Sequence, residues 1–229
     1  LHDALPIFHT ALRRSVPGRG GRTPCTPPGP SALCRTTTVR APPRTRAAGA
    51  VRHNGAMTES DPFRVIFVCT GNICRSPMAE VVFRDIAAAQ GLGDRIVSTS
   101  AGTGDWHVGE QADRRTIDAL ARRGYDGSAH RARQFTYDDF AENDLVVALD
   151  RTHERILRQW ARDESEEGKV TLLLSFEHHG ASFEHQGALD VPDPYYADAP
   201  VFDEVLGMIE SASHGLFRQL EPAIRPPRP

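Results

Sequence analysis

The run RVIFVC (64–69) is β-branched and aromatic almost throughout, the pattern of a short buried strand. It is followed closely by PMAEVVFRDIAAAQ (77–90), with apolar residues at helical spacing and a proline suited to a first helical turn. Residues 69–76, CTGNICRS, therefore form a strand-to-helix turn. The rest of the chain repeats this alternation. RIVSTSAG (95–102), DLVVALD (144–150) and KVTLLLSF (169–176) predict three further strands. Between them, ADRRTIDALARRG (112–124) predicts a helix with Ile117, Leu120 and Ala121 inward and a glycine at its end. YDDFAEND (137–144) predicts a short helix, and RTHERILRQWARD (151–163) an amphipathic one with Ile156, Leu157 and Trp160 on one side. A last helix is expected over 201–220, with Phe202, Val205, Leu206, Ile209, Leu216 and Phe217 inward. The expected fold is α/β: a central four-stranded parallel sheet flanked by helices on both faces. Ligands of such sheets bind beyond the carboxyl ends of the strands, and Cys69 lies at one such end.

The 229 residues carry a formal net charge of −3, 39% hydrophobic residues and four cysteines, a balance that fits one α/β domain. No apolar run approaches the roughly 20 residues of a spanning helix, and prolines and arginines interrupt the N-terminus where a secretory signal would stand. Two of the four cysteines share one turn, which argues against a disulfide scaffold and for a reducing cytoplasm.

A sharp boundary falls near Met57. Before it arginine supplies all the positive charge, lysine and glutamate are absent, and Asp3 is the only acid. TPCTPPGPSALC and RAPPRTRAAG carry no period, so 1–56 is expected to be disordered. After it the composition turns acidic and periodic, which places the folded domain at 57–229. The basic extension fits either an arm for nucleic acid or an acidic membrane surface, or an artefactual addition outside the mature protein. A chain that begins with Leu1, with Met57 just ahead of the first strand, favours the second reading, with neither nucleic acid nor membrane as partner.

The turn carries the chemistry. Between a strand and a helix N-terminus, successive backbone N–H groups converge on a bound anion, and the helix dipole favours negative charge there. Gly71 and Asn72 are residue types that tolerate the left-handed backbone such a nest needs. Arg75 can grip two phosphate oxygens with its planar fork, and the same positive environment favours Cys69 as a thiolate nucleophile. A cysteine at a strand end is commonly just a small buried hydrophobe. The complete spacing Cys-x5-Arg-Ser, with glycine and asparagine inside, outweighs that reading.

CTGNICR with the following SPMAE resembles the signature of the low-molecular-weight protein tyrosine phosphatases. DVPDPYY (190–196) is similar to the acid-bearing loop of that family, and SAGTGDWHVGE (100–110) and HRARQ (130–134) are further markers in the expected order. The resemblance runs from Met57 to about Leu220 and is to bacterial members acting on phosphotyrosine. It implies a metal-independent, cofactor-free reaction through a phosphocysteine at Cys69, with Arg75 binding phosphate and Asp193 as general acid and then base. It implies that the phosphate or substrate is bound by Thr70, Gly71, Asn72, Ile73, Cys74 and Ser76, that Ser76 hydrogen-bonds the thiolate, and that Asn72, Ser100 and His130 form a supporting network. Trp106, Tyr195 and Tyr196 are implied as cleft walls. The implied partners are phosphotyrosine-containing proteins, including a bacterial tyrosine kinase. A monomer is expected, in the cytoplasm or exported without a classical signal.

Each of these residues also has a plainer reading. Asp-Pro in DPDPYY-like loops favours turns, His130 stands among arginines as a surface residue would, and Trp106 suits a core. Cys74 either pairs reversibly with Cys69 under oxidation or simply packs. His178, His179 and His185 cluster with glutamates at a spacing that fits no metal site, and read as a solvated loop. Three other functions compete. Arsenate reductases of related architecture need cysteines downstream, and none follows Cys74. Relatives acting on phosphoarginine typically have threonine at the place of Ile73 and lack the paired tyrosines. A non-catalytic phosphate-binding module has no use for Cys69 and Asp193 together.

Overall fold

The computed structural model describes residues 61–176 and 189–225. The basic extension and the histidine-rich stretch at 178–185 lie outside the described residues. Four strands, β1 (Phe63–Cys69), β2 (Ile96–Gly102), β3 (Leu145–Ala148) and β4 (Val170–Leu172), form one all-parallel sheet in the order β2-β1-β3-β4. Among the described residues six helices accompany it: α1 (Arg75–Ala89), α2 (Arg114–Arg122), α3 (Asp138–Glu142), α4 (Arg151–Trp160), α5 (Glu164–Gly168) and α6 (Ala199–Ile224).

β1 is central and buried on both faces, with Val65, Ile66, Phe67 and Val68 all fully inaccessible. Alternation along the strand divides these residues between two cores. Val65 and Phe67 join Met78, Val82 and Phe83 of α1 and Phe202, Leu206, Ile209 and Leu216 of α6. Ile66 and Val68 face Phe135, Phe140, Leu157 and Trp160. Near-continuous apolar strands are what such a two-sided sheet requires. The chain leaves β1 toward β2 on one side and later returns to β3 on the other, so the strand order reverses at β1. The carboxyl end of β1, where Cys69 stands, is thus the topological switch point.

Several boundaries and faces differ from expectation. α1 begins at Arg75, two residues before Pro77, so Arg75 and Ser76 belong to its first turn. α2 buries Thr116, Ala119 and Leu120, whereas Ala121 is exposed and Ile117 only half-buried. The inward stripe is rotated because the helix also packs beside α6 through Arg115, whose guanidinium lies 4.5 Å from the centre of the Phe202 ring. β4 is only three residues long, and Leu173–Phe176 turns into a 3-10 segment. α5 has no apolar period and was not anticipated; its N-cap is Asp163, whose side chain accepts from the Glu166 N–H. α6 keeps every expected inward residue buried but runs from Ala199 to Ile224.

Candidate active site

α2, α4 and α5 each begin behind an aspartate whose side chain accepts from the first turn. α1 does not: its N-cap is Cys74, no side chain caps it, and no acid lies in its first turn. Its N-terminal N–H groups are left to an anion, the arrangement that favours phosphate. Within the preceding loop Asn72 alone among the described non-glycine residues has a positive φ, at 57°. Gly71 does not take the left-handed conformation expected of it. Its lack of a side chain matters for space, because a Cβ there would stand 2.9 Å from the His107 ring.

Asn72 is fully buried and each of its side-chain polar atoms is matched. Its Nδ2 donates to Ser76 Oγ (2.9 Å) and Ser100 Oγ (2.8 Å), and its Oδ1 accepts from the Arg133 N–H (2.9 Å). His130 Nε2 lies 2.8 Å from the Asn72 carbonyl and must donate to it, since a carbonyl only accepts. Ser100 donates its own hydrogen bond to Glu80 Oε2 at 2.5 Å. Leaving any one of these buried groups unmatched would cost about 1–3 kcal/mol, so the network holds the strained turn in one shape. The neighbouring loop fastens the same turn from outside: Thr103 N–H donates to the Cys69 carbonyl (2.8 Å) and Gly104 N–H to that of Thr70 (2.9 Å). Gly102 permits this approach, because a Cβ there would lie 2.8 Å from the Thr70 carbonyl oxygen.

Cys69 is buried at the end of β1, its Sγ 3.0 Å from Ser76 Oγ. Asn72 already donates to that hydroxyl, so its single proton goes either to the sulfur or to the more distant Ala101 carbonyl at 3.4 Å. Cys74, five residues on at the N-cap of α1, differs. Burial, reinforced by the charge of Cys69, pushes its thiol up to about 12, and it stays neutral at physiological pH. Cys74 is buried beside the cleft as a free thiol.

Arg75 is 3% exposed, and both ends of its fork are engaged. Nη1 donates to Asp150 Oδ2 (2.8 Å) and the Val191 carbonyl (3.1 Å), and Nη2 to Asp193 Oδ2 (2.7 Å) and Thr70 Oγ1 (3.3 Å). Asp193 is half exposed, so it meets Arg75 at the mouth of the site, whereas Asp150 holds the other end inside. The acid loop is itself secured. Val191 N–H donates to the Leu149 carbonyl, and Arg151 binds Asp190 with backbone and guanidinium together, holding its carboxyl below the usual range. From α2, Arg115 donates to the carbonyls of Tyr195 (3.0 Å) and Ala197 (2.9 Å) while paired with Asp113.

Cys69, Thr70, Gly71, Ile73, Cys74, Arg75, Trp106, His107, Asp193, Tyr195 and Tyr196 together line a cleft of about 310 Å³. Trp106 packs over Gly104 and is 54% exposed, so it is a wall and not a core residue. Tyr195 and Tyr196 meet edge to face with ring centres 4.9 Å apart. Every site residue named from the sequence thus falls either on this cleft or in the hydrogen-bonded network beneath it.

Sequence reasoning missed several neighbours. Asp150 was legible in principle, since it ends the third apolar run at the same edge of the sheet as Cys69 and opens a helix as its N-cap. His153 follows from it by one helical turn. Glu80 stands in SPMAE and His107 in SAGTGDWHVGE, where neither contact can be read from the motif. Arg133 contributes a backbone N–H, and Arg115 reaches a loop 80 residues away; neither leaves a mark in the sequence. His153 is buried and its imidazole is pushed down to about 4, mainly by desolvation, so it is neutral near pH 7.

Residues 64–225 match the family of low molecular weight phosphotyrosine protein phosphatases. The chain is 54% identical over 155 residues to a low molecular weight protein-tyrosine-phosphatase of Streptomyces coelicolor, covering 68% of this chain and 92% of the relative. It is 50% identical over 157 residues to low molecular weight protein-tyrosine phosphatase A of Mycobacterium tuberculosis, covering 69% and 91%. Among solved structures it is similar to YfkJ of Bacillus subtilis, with a TM-score of 0.63 and 34% identity over 75% of this chain and 99% of that one. With the strand-to-helix loop, its buried asparagine network and these likenesses in agreement, the chain belongs to the low molecular weight phosphotyrosine protein phosphatase family.

Proposed function

We propose that this phosphatase hydrolyses phosphotyrosine in proteins through a phosphocysteine intermediate on Cys69. The observation that carries the reading is the convergence of Cys69, Arg75 and Asp193 on one aromatic-walled cleft at the mouth of an uncapped helix. A phosphoryl group entering the cleft takes over the Arg75 fork, now shared with Asp193, and frees that carboxyl to face the ester oxygen. The Cys69 sulfur attacks phosphorus, the phosphorus–oxygen bond to the phenol breaks, and Asp193 as the acid gives its proton to the leaving oxygen. Loop N–H groups and Arg75 hold the three equatorial oxygens, and Ser76 stabilises the thiolate when it is re-formed. In the second step the Asp193 carboxylate takes a proton from water as the water oxygen attacks phosphorus and the sulfur leaves.

Ile73 on the floor and Trp106, Tyr195 and Tyr196 on the walls favour a flat aromatic ester over a guanidinium-linked phosphate. The proposed substrates are therefore phosphotyrosyl proteins, including a kinase that carries such residues. Rapid quenching during turnover of a phosphotyrosyl peptide, followed by peptide mass spectrometry, tests the covalent step. One phosphoryl group is expected on the peptide that contains Cys69. Turnover with no such adduct, or an adduct elsewhere, would remove Cys69 from the nucleophilic role.

A further inference from the structure

Thr70 Oγ1 accepts from Arg75 Nη2, so its own proton must go elsewhere, and the group in reach is His153 Nε2 at 2.8 Å. In the tautomer that accepts the Thr70 proton, Nε2 is bare and the ring proton stands on Nδ1. That nitrogen faces Asp150 Oδ1 at 3.0 Å, close enough for electrostatic contact but out of line for a hydrogen bond. Asp150 is the partner of the other end of the Arg75 fork. Four residues from three elements thus close a ring: Arg75 to Thr70, Thr70 to His153, His153 to Asp150, and Asp150 back to Arg75. Asp150 is further tied to α4, because its Oδ1 caps the His153 N–H at 2.8 Å.

We infer that His153 is a positioning residue which, through the Thr70 hydroxyl and the Asp150 carboxylate, fixes the orientation in which Arg75 receives phosphate. The inference rests on the reading of Arg75 as the phosphate-holding residue. Its physical basis is directional. Asp193 is the partner that a phosphate displaces, so the hydroxyl of Thr70 is the contact left to hold Nη2 when substrate enters. That hydroxyl has one proton, and with His153 accepting it the oxygen keeps its lone pairs toward the guanidinium. An imidazole that donates from Nε2 would instead occupy one Thr70 lone pair, leaving the guanidinium a single lone pair and the hydroxyl proton unanchored. Desolvation keeps the ring in the neutral form this polarity requires. Neither His153 nor Thr70 need touch the reacting atoms for this role.

The test compares His153→Phe, His153→Gln, Thr70→Val and the double variant His153→Phe/Thr70→Val with Arg75→Ala, reading melting temperature, kcat, KM and competitive inhibition by inorganic phosphate. The expected result is that His153→Phe and Thr70→Val each weaken phosphate inhibition by about tenfold, the effect of one lost hydrogen bond to a charged group. The double variant should be no worse than either single one, because both break the same relay. His153→Gln, which offers an amide oxygen to the Thr70 hydroxyl, should recover most of the loss. Unchanged phosphate inhibition in both single variants, additive losses, or no recovery by glutamine would each overturn the inference. Should His153→Phe fail to fold, Thr70→Val against Thr70→Ser carries the comparison: Thr70 is exposed, and serine keeps the hydroxyl. Arg75→Ala separates the two levels. If it still binds phosphate as the parent does, the reading of Arg75 fails and the inference with it. If it loses phosphate while His153→Phe and Thr70→Val do not, only the inference fails.

Discussion

Cys69→Ser is expected to lower turnover of aryl phosphates by about four orders of magnitude or more, while phosphate still binds. Serine is nearly isosteric, so β1 keeps its end residue and Ser76 keeps a hydrogen-bonding partner at that place. In the proposed mechanism the anion is held by Arg75 and by backbone N–H groups of a loop whose shape depends on Asn72, and the substitution alters none of these. What is lost is the sulfur nucleophile, because a serine hydroxyl in the same place is a far weaker one. Phosphate titration by calorimetry beside steady-state kinetics measures both halves of the prediction. Retained turnover would mean that the nucleophile lies elsewhere, and lost phosphate binding that the loop itself had collapsed.

The second large effect depends on the substrate. Asp193→Ala should slow hydrolysis of a phosphotyrosyl peptide by about 10²–10⁴-fold, the usual contribution of a positioned acid. It should slow a nitrophenyl ester much less, because a good leaving group departs without a proton. The difference between the two esters is the informative quantity, since it is insensitive to general damage. Such damage is not expected in any case. Asp193 is half exposed, and its loop is held independently through Val191, Asp190 and the Arg115 contacts to Tyr195 and Ala197. Equal losses on both esters would take Asp193 out of the acid role.

The order of strands and helices was legible because a two-sided parallel sheet demands continuous apolar runs, and RVIFVC and DLVVALD are such runs. The strand-to-helix loop was legible because an anion nest needs particular residue types at fixed spacing. Asn72 illustrates the limit. Its tolerance of a left-handed backbone could be read from the residue type, whereas for Gly71 the same argument failed: there the constraint is the nearby His107 ring, a contact between segments distant in sequence. The inward face of α2 was misjudged for a similar reason. Periodicity counted Ile117 and Ala121 as apolar, but the orientation is set by Arg115 reaching across to Phe202 and the acid loop. The ring behind Arg75 is only partly legible for a third reason: Asp150 can be placed at the edge of the sheet, but its closure through Thr70 and His153 arises only when the sheet brings the ends of β1 and β3 side by side.

The most direct test of the central claim is kcat/KM on a phosphotyrosyl peptide beside the matched phosphoseryl and phosphoarginyl peptides, with EDTA present throughout. A strong preference for the phosphotyrosyl peptide is the predicted result, because the proposed mechanism sets an anion-holding loop and the Cys69 sulfur beneath aromatic walls. Preference for the phosphoarginyl peptide would keep Cys69 as nucleophile but contradict the roles given to Ile73, Tyr195 and Tyr196, and no turnover of any of the three would contradict the catalytic reading altogether.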